Sequence, residues 1–269
     1  MGNLLAALAF CERGSEVIMG RQGHTFLHEA GGISVLGGVA MQTIPNQADG
    51  SLALDDLKSA LRDPVDYHEP VSRLIVLENT QNACGGMPLS AEYTASVGAF
   101  AREQGLALHI DGARIFNAAV KLGVPAADLV RSADSVTFCL SKGLCAPVGS
   151  MLCGSRALIT KARRLRKLLG GGMRQAGILA AAGLVALDTM VERLAEDHQR
   201  ARFLAEALAE LPGLRIDKGS PYTNMVFLAL EPASGRNAAE VVRQLAERGV
   251  LVGATGERTF RLVTHHDVD

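Results

Sequence analysis

Leu106-Ala107-Leu108-His109-Ile110-Asp111-Gly112-Ala113-Arg114 is an apolar run that ends on a carboxylate. Ser135-Val136-Thr137-Phe138-Cys139-Leu140-Ser141-Lys142-Gly143 is a second such run, and it ends on an amine. Short, nearly continuous apolar runs read as strands buried on both faces. Each therefore sets a charged side chain just past a buried strand, a position that is unfavourable unless the charge is paired or does chemistry.

Working outward, residues 16–19, 74–77 and 150–153 read as further strands, with helical patterns between them. The clearest helix covers residues 90–104, with Ser90 as N-cap and Gly105 as its stop. Alternation of this kind predicts an α/β fold with a mostly parallel sheet covered on both faces. Such sheets bind ligands at the carboxyl ends of their strands, where Asp111 and Lys142 fall. Beyond residue 174 the character changes. Residues 174 to about 211 read as one long helix, weakened at Gly177 and Gly183. Residues 223–228 read as a strand, residues 237–248 as a helix with Asn237 and Glu240 in a capping box, and residues 259–263 as a last strand. The expected organisation is a large domain over residues 1–185 and a small C-terminal α/β domain over residues 186–269.

Composition bounds the function. Of the 269 residues 48% are hydrophobic, enough for a sizeable core. The 27 basic and 28 acidic residues leave a formal net charge of -1, so neither nucleic acid nor an anionic membrane is expected as a partner. No apolar run reaches membrane-spanning length, and no basic stretch precedes the apolar residues 4–8 as in a secretory signal. The five cysteines lack CxxC spacing, which suggests a reduced intracellular, cytoplasmic setting. The basic stretch Lys161-Ala162-Arg163-Arg164-Leu165-Arg166-Lys167 has no interleaved aromatics and reads as a solvated helix face or a source of positive potential for an anion. Both ends read as cut: residue 1 enters a helix almost at once, and Asp267-Val268-Asp269 has the look of a helix cap.

A lysine that forms a Schiff base and an acid that holds a pyridinium nitrogen are the pair that pyridoxal 5'-phosphate (PLP) requires. Further segments join them: His24 to Gly32, Leu77-Glu78-Asn79-Thr80, His109 to Phe116, Leu140 to Gly149, Gly170 to Gln175 and Arg261 to His265. In this order and spacing the chain resembles the low-specificity L-threonine aldolases, PLP enzymes of the aspartate-aminotransferase fold. The resemblance implies a three-layer PLP-transferase large domain with a small α/β domain. It also implies aldol cleavage of L-threonine or L-allo-threonine to glycine and acetaldehyde, a small β-hydroxy amino acid as substrate, and a homo-oligomer.

Carried over residue by residue, Lys142 is the Schiff-base lysine and Asp111 the partner of the pyridine nitrogen. Arg114 sits near the cofactor's phenolic oxygen, His24 stacks on its ring, and Arg174 and Arg261 hold the substrate carboxylate. Gln81 is a candidate catalytic position: many members carry a histidine there, and glutamine can hydrogen-bond but cannot take a proton near neutral pH. Gly2 and Asn3 stand at a helix N-terminus, which attracts an anion such as the cofactor phosphate, although members carry a preceding Ser-Gly-Thr turn for that purpose. Bland readings sit beside these: a surface lysine at 142, a turn aspartate at 111, a surface arginine at 114, a linker at residues 170–172, a strand-edge charge at 261. His24 and His28 have metal-pair spacing but no evident third ligand, so no metal is expected. Two further readings of function remain open on sequence, an inactive truncated remnant of the family and a different PLP reaction.

Overall fold

The structure, a computed structural model, describes residues 1–268; Asp269, part of the expected C-terminal cap, lies outside the described residues. Strands β1 (Ser15–Gly20), β2 (Ala40–Ile44), β3 (Val71–Glu78), β4 (Ala107–Asp111), β5 (Ser135–Cys139) and β6 (Ser150–Gly154) form a six-stranded sheet in the order β2-β1-β3-β4-β5-β6. Every neighbouring pair is parallel except the antiparallel edge pair β5–β6. A second, antiparallel sheet holds β7 (Leu214–Ile216), β8 (Met225–Leu230) and β9 (Thr259–Val263).

Side chains along a strand point alternately to opposite faces. Val17, Met19, Leu74 and Val76 pack on one face of the large sheet with Ala7 of helix Gly2–Phe10 and Ile33 of helix Gly32–Gly37. Ile18, Ile75, Leu77 and Leu108 pack on the other with Leu57 of helix Leu54–Ser59 and Val97 and Phe100 of helix Ala91–Glu103. Two covered faces explain why these strands read as unbroken apolar runs. The Ser90 side chain accepts the Tyr93 N–H at the start of its helix, and Asn237 and Glu240 form the expected capping box.

The sequence reading of the long helix needs correcting. Residues 174–211 form two helices, Gly177–Thr189 and Leu194–Ala209, rather than one. The turn between them lets Leu194 drop into the cluster around Leu140 and Leu144. Residue 185, the expected domain boundary, lies inside the first of these helices. Strands β2 and β7 carried no sequence signal: the first mixes polar and apolar residues and the second has only three residues. Among the described residues no helix is long and apolar enough to cross a membrane.

Leu108 is fully buried between β3, β4 and helix Ala91–Glu103. Leu108→Ala should lower unfolding free energy by about 2–5 kcal/mol, measured by urea titration; a loss under about 1 kcal/mol would mean this layer is not the packed core described.

Candidate functional site

Register brings the site's acids together. Glu78 at the end of β3 pairs with Asp111 at the end of β4, and Asp111 pairs with Thr137 of β5. Lys142 lies in the turn after β5, where its carbonyl accepts the Cys145 N–H at 2.8 Å. Each charged residue is followed by a closely packed glycine, against backbone at Gly112 and against a movable leucine side chain at Gly143. A Cβ at Gly112 would lie 2.7 Å from the Thr137 carbonyl oxygen, and one at Gly143 would lie 2.6 Å from Leu194.

A cavity of about 750 Å³ opens at these strand ends, and Lys142, Asp111, Arg114, His24 and Arg261 all line it. Glu78 of β3, Thr80 and Asn82 of the loop after it and His28 complete one wall, while Phe227 of β8, Thr259 of β9 and Lys218 of the β7–β8 turn form the other. Five of the residues singled out from sequence thus share one space.

The carboxylate of Asp111 is 3% exposed. Its Oδ2 accepts from Asn3 Nδ2 at 2.8 Å and Thr25 Oγ1 at 3.2 Å, and its Oδ1 accepts the Ala113 N–H at 3.2 Å. It therefore does what a turn aspartate does and also faces the cavity. Burial, and after it the nearby charge of Glu29, raises its pKa above the usual carboxylate range. Glu78 is pushed up to about 7, first by burial and then by the charge of Asp111. Its oxygens accept the His24 N–H at 2.6 Å and the Asn82 N–H at 2.9 Å.

His24 begins a short helix at the cavity mouth, its side chain 45% exposed. Its Nδ1 meets Glu29 Oε1 at 3.3 Å, and this hydrogen bond outweighs burial and raises the imidazole pKa. Burial alone would raise Glu29, but bonds from His24 and Asn3 outweigh it and hold the carboxyl below its usual range. His24, Glu29 and Asp111 offer ligand atoms within 4.8 Å of one another. The Asn3 amide donates to both carboxylates and so already fills the space between them.

Arg114 is the N-cap residue of helix Ile115–Leu122 and is half-buried on the cavity wall. Its pKa is lowered, by burial first and then by Arg261. Arg261 Nη1 donates to Asn82 Oδ1 at 2.8 Å, and Arg114 Nη1 lies 3.5 Å from the same oxygen.

Four expected site residues do not face the cavity. Arg174 is exposed, ahead of helix Gly177–Thr189, and has no place in the lining. Gln81 is fully buried and points away: its Nε2 donates to the Gln22 carbonyl at 3.0 Å and its Oε1 accepts the Cys84 N–H at 2.8 Å. With both ends of its amide engaged by backbone, it staples a loop. Gly2 packs against β5, where a Cβ would come 2.7 Å from Thr137. Asn3 turns its side chain inward to Asp111 and Glu29 instead of presenting the helix end to an anion. Sequence reasoning gave no role to Glu78, Glu29 or Asn82. For Glu78 a signal existed, since it ends an apolar strand on a charge just as Asp111 does.

Comparison with known proteins gives the family. The sequence matches the beta-eliminating lyase family over residues 1–232, and the chain belongs to that family. It is 47% identical over 270 residues to the low-specificity L-threonine aldolase 1 of Arabidopsis thaliana, covering 100% of this chain and 75% of that protein. It is 47% identical over 266 residues to the low specificity L-threonine aldolase of Escherichia coli strain K12, covering 99% of this chain and 76% of that one. In fold it is similar to the solved Leishmania major threonine aldolase, with a TM-score of 0.79 at 23% identity over 99% of this chain and 77% of that chain. It is similar in the same way to an alanine–glyoxylate aminotransferase from Nostoc sp., with a TM-score of 0.69 at 20% identity over 99% of this chain and 74% of that chain.

The neighbouring acids Glu78 and Asp111 make stability depend on pH. Because Glu78 binds a proton more tightly folded than unfolded, its contribution to stability is full below about 4.5 and is lost as pH rises through about 7. Glu78→Gln removes that loss, so the variant should gain on the native protein by roughly 2–3 kcal/mol between pH 5 and pH 8 in urea unfolding. A stability difference that is flat with pH would contradict the raised Glu78.

Proposed function

We propose that this chain is a PLP-dependent carbon–carbon lyase that cleaves L-threonine or L-allo-threonine to glycine and acetaldehyde. The observation that carries the reading is the common cavity of Lys142 and Asp111, with Arg114, Arg261 and His24 around it. Identity of 47% to named threonine aldolases across nearly the whole chain supports this chemistry over another reaction of the fold.

The residues present fit the cofactor. All three recorded donors to Asp111 are neutral, and among the described residues no cation lies within ion-pair distance of it, so a protonated ring nitrogen would complete it. The Thr80 hydroxyl on the cavity wall is buried and has no hydrogen-bond partner among the described residues. Arg114 and Arg261 have no carboxylate partner among the described residues, which suits anionic groups on cofactor and substrate.

When bound, PLP supplies an electron sink for the pair released as the Cα–Cβ bond breaks. Lys142 provides the amine that holds the cofactor's aldehyde carbon. Asp111 would accept the cofactor's ring N–H and hold that proton by its negative charge. The flat imidazole of His24 is available to one face of the ring, with Glu29 holding its Nδ1. Arg261 offers a guanidinium fork to the substrate carboxylate, which fixes the substrate's orientation. The β-hydroxyl proton must leave to a cavity-facing group that titrates near neutrality. Glu78, at about 7, meets that requirement, and Gln81 does not. Residues 1–185 and 186–269, taken as large and small domains, then supply opposite walls of the site.

We place the chain in a homo-oligomer, a reading supported by exposed Ile178, Leu184 and Val185 on helix Gly177–Thr189. Its free cysteines suit a reducing cytoplasm.

Loaded with PLP, the native protein should show a visible absorbance band and release acetaldehyde from L-threonine. Lys142→Ala should lose both, and Asp111→Asn should keep cofactor but turn over at least about 10²-fold more slowly. A Lys142→Ala protein that retained the band and the activity would overturn the assignment.

A further inference from the structure

The meeting of two arginines on one asparagine has a consequence for substrate selection. Asn82 lies in the loop after β3, and its N–H donates to Glu78 Oε1 at 2.9 Å, which anchors the residue at its backbone. From the small sheet, Arg261 of β9 crosses the cavity and donates to Asn82 Oδ1 at 2.8 Å. Arg114 approaches the same oxygen at 3.5 Å. The next residue, Ala83, accepts a hydrogen bond from the Lys218 ammonium, which comes from the turn between β7 and β8. Three cations thus converge on two consecutive loop residues, and the acceptors they find are neutral carbonyl oxygens. Among the described residues neither Arg114 nor Arg261 has a carboxylate within ion-pair distance.

The neutrality matters. A carboxylate of the same shape at position 82 would hold Arg261 in an ion pair and cancel the charge that an incoming anion needs. An amide oxygen orients the guanidinium through one hydrogen bond and leaves the charge in place. We propose that Asn82 is a positioning residue: it presets Arg261 for the substrate's α-carboxylate while leaving that arginine's charge uncancelled, and so sets affinity for the carboxylate. This rests on the assignment of Arg261 to the substrate carboxylate made above.

The test uses the PLP-loaded full chain and four proteins: native, Arg261→Gln, Asn82→Ala and the isosteric Asn82→Asp. Two readouts are taken, KM and kcat for L-threonine, and calorimetric affinity for propionate, which has a carboxylate but no amine to react. Arg261→Gln should raise KM and weaken propionate. If it does neither, the carboxylate assignment itself falls. Asn82→Asp should raise KM by about 10- to 100-fold and weaken propionate similarly, with kcat little changed. Asn82→Ala should be impaired less than Asn82→Asp, because it loses orientation but keeps the charge free. If Arg261→Gln is impaired while Asn82→Asp binds as well as native or as well as Asn82→Ala, the role of Asn82 is overturned and that of Arg261 stands. Should Asn82→Asp fail to take up cofactor, native against Asn82→Ala decides: weaker propionate binding supports the proposal and equal binding overturns it.

Discussion

A carboxylate held in the interior, with no cation within ion-pair distance among the described residues, is the constraint around which this molecule is arranged. Asp111 stays in place through a network that reaches four parts of the chain. The Asn3 amide group splits its two hydrogens between Asp111 and Glu29, and its oxygen accepts from Thr137 Oγ1 and His109 Nε2. His109 in turn meets Ser135 Oγ through Nδ1 at 2.7 Å. Since the Asn3 oxygen can only accept, His109 carries its proton on Nε2, and burial holds its pKa down at about 4, so it stays neutral. Helix Gly2–Phe10, strands β4 and β5, and the segment around Thr25 are thus tied to one oxygen pair. The polar groups are satisfied while the charge is not, which is the condition under which a cationic ligand atom gains most.

The second consequence is that the site belongs to two sheets. The large parallel sheet supplies the acids, the lysine turn and Arg114. The small antiparallel sheet supplies Arg261 and Phe227, and its β7–β8 turn supplies Lys218. Around the cavity the halves meet at residues 82–86, where Arg261, Lys218 and Thr223 all land, and elsewhere Asn117 meets His198 and Leu194 packs on Leu140. Movement of one sheet against the other would therefore change the distance between the groups assigned to cofactor and those assigned to substrate carboxylate.

Much of this was legible in the sequence, for physical reasons. Strands buried on two faces leave apolar runs, and charges at the ends of residues 107–111 and 135–139 stood out against them. The Ser90 and Asn237 caps were readable because an N-cap has few alternatives. Less was legible where a role depends on direction rather than identity. Gln81 and Asn82 are neighbours of similar chemistry, yet one is sealed into a loop and the other faces the cavity. Asn3 sits at a helix N-terminus, and only packing reveals that its amide turns to Asp111. Arg174 resembled a binding arginine by its glycine-rich context, but the break between helices Gly177–Thr189 and Leu194–Ala209 and the exposed loop before them leave it outside the lining. Glu78 shows a different gap: its perturbed proton affinity comes from pairing with Asp111 across the sheet, a relation that no local pattern carries.

The account stands most directly on the amine of Lys142 sharing its cavity with the carboxylate of Asp111. The native protein, loaded with PLP and reduced with borohydride, can be digested and its modified peptide mapped by mass spectrometry. The cofactor mass is predicted on the peptide that contains Lys142. Its appearance on another lysine, such as Lys218, or on none, would contradict the account.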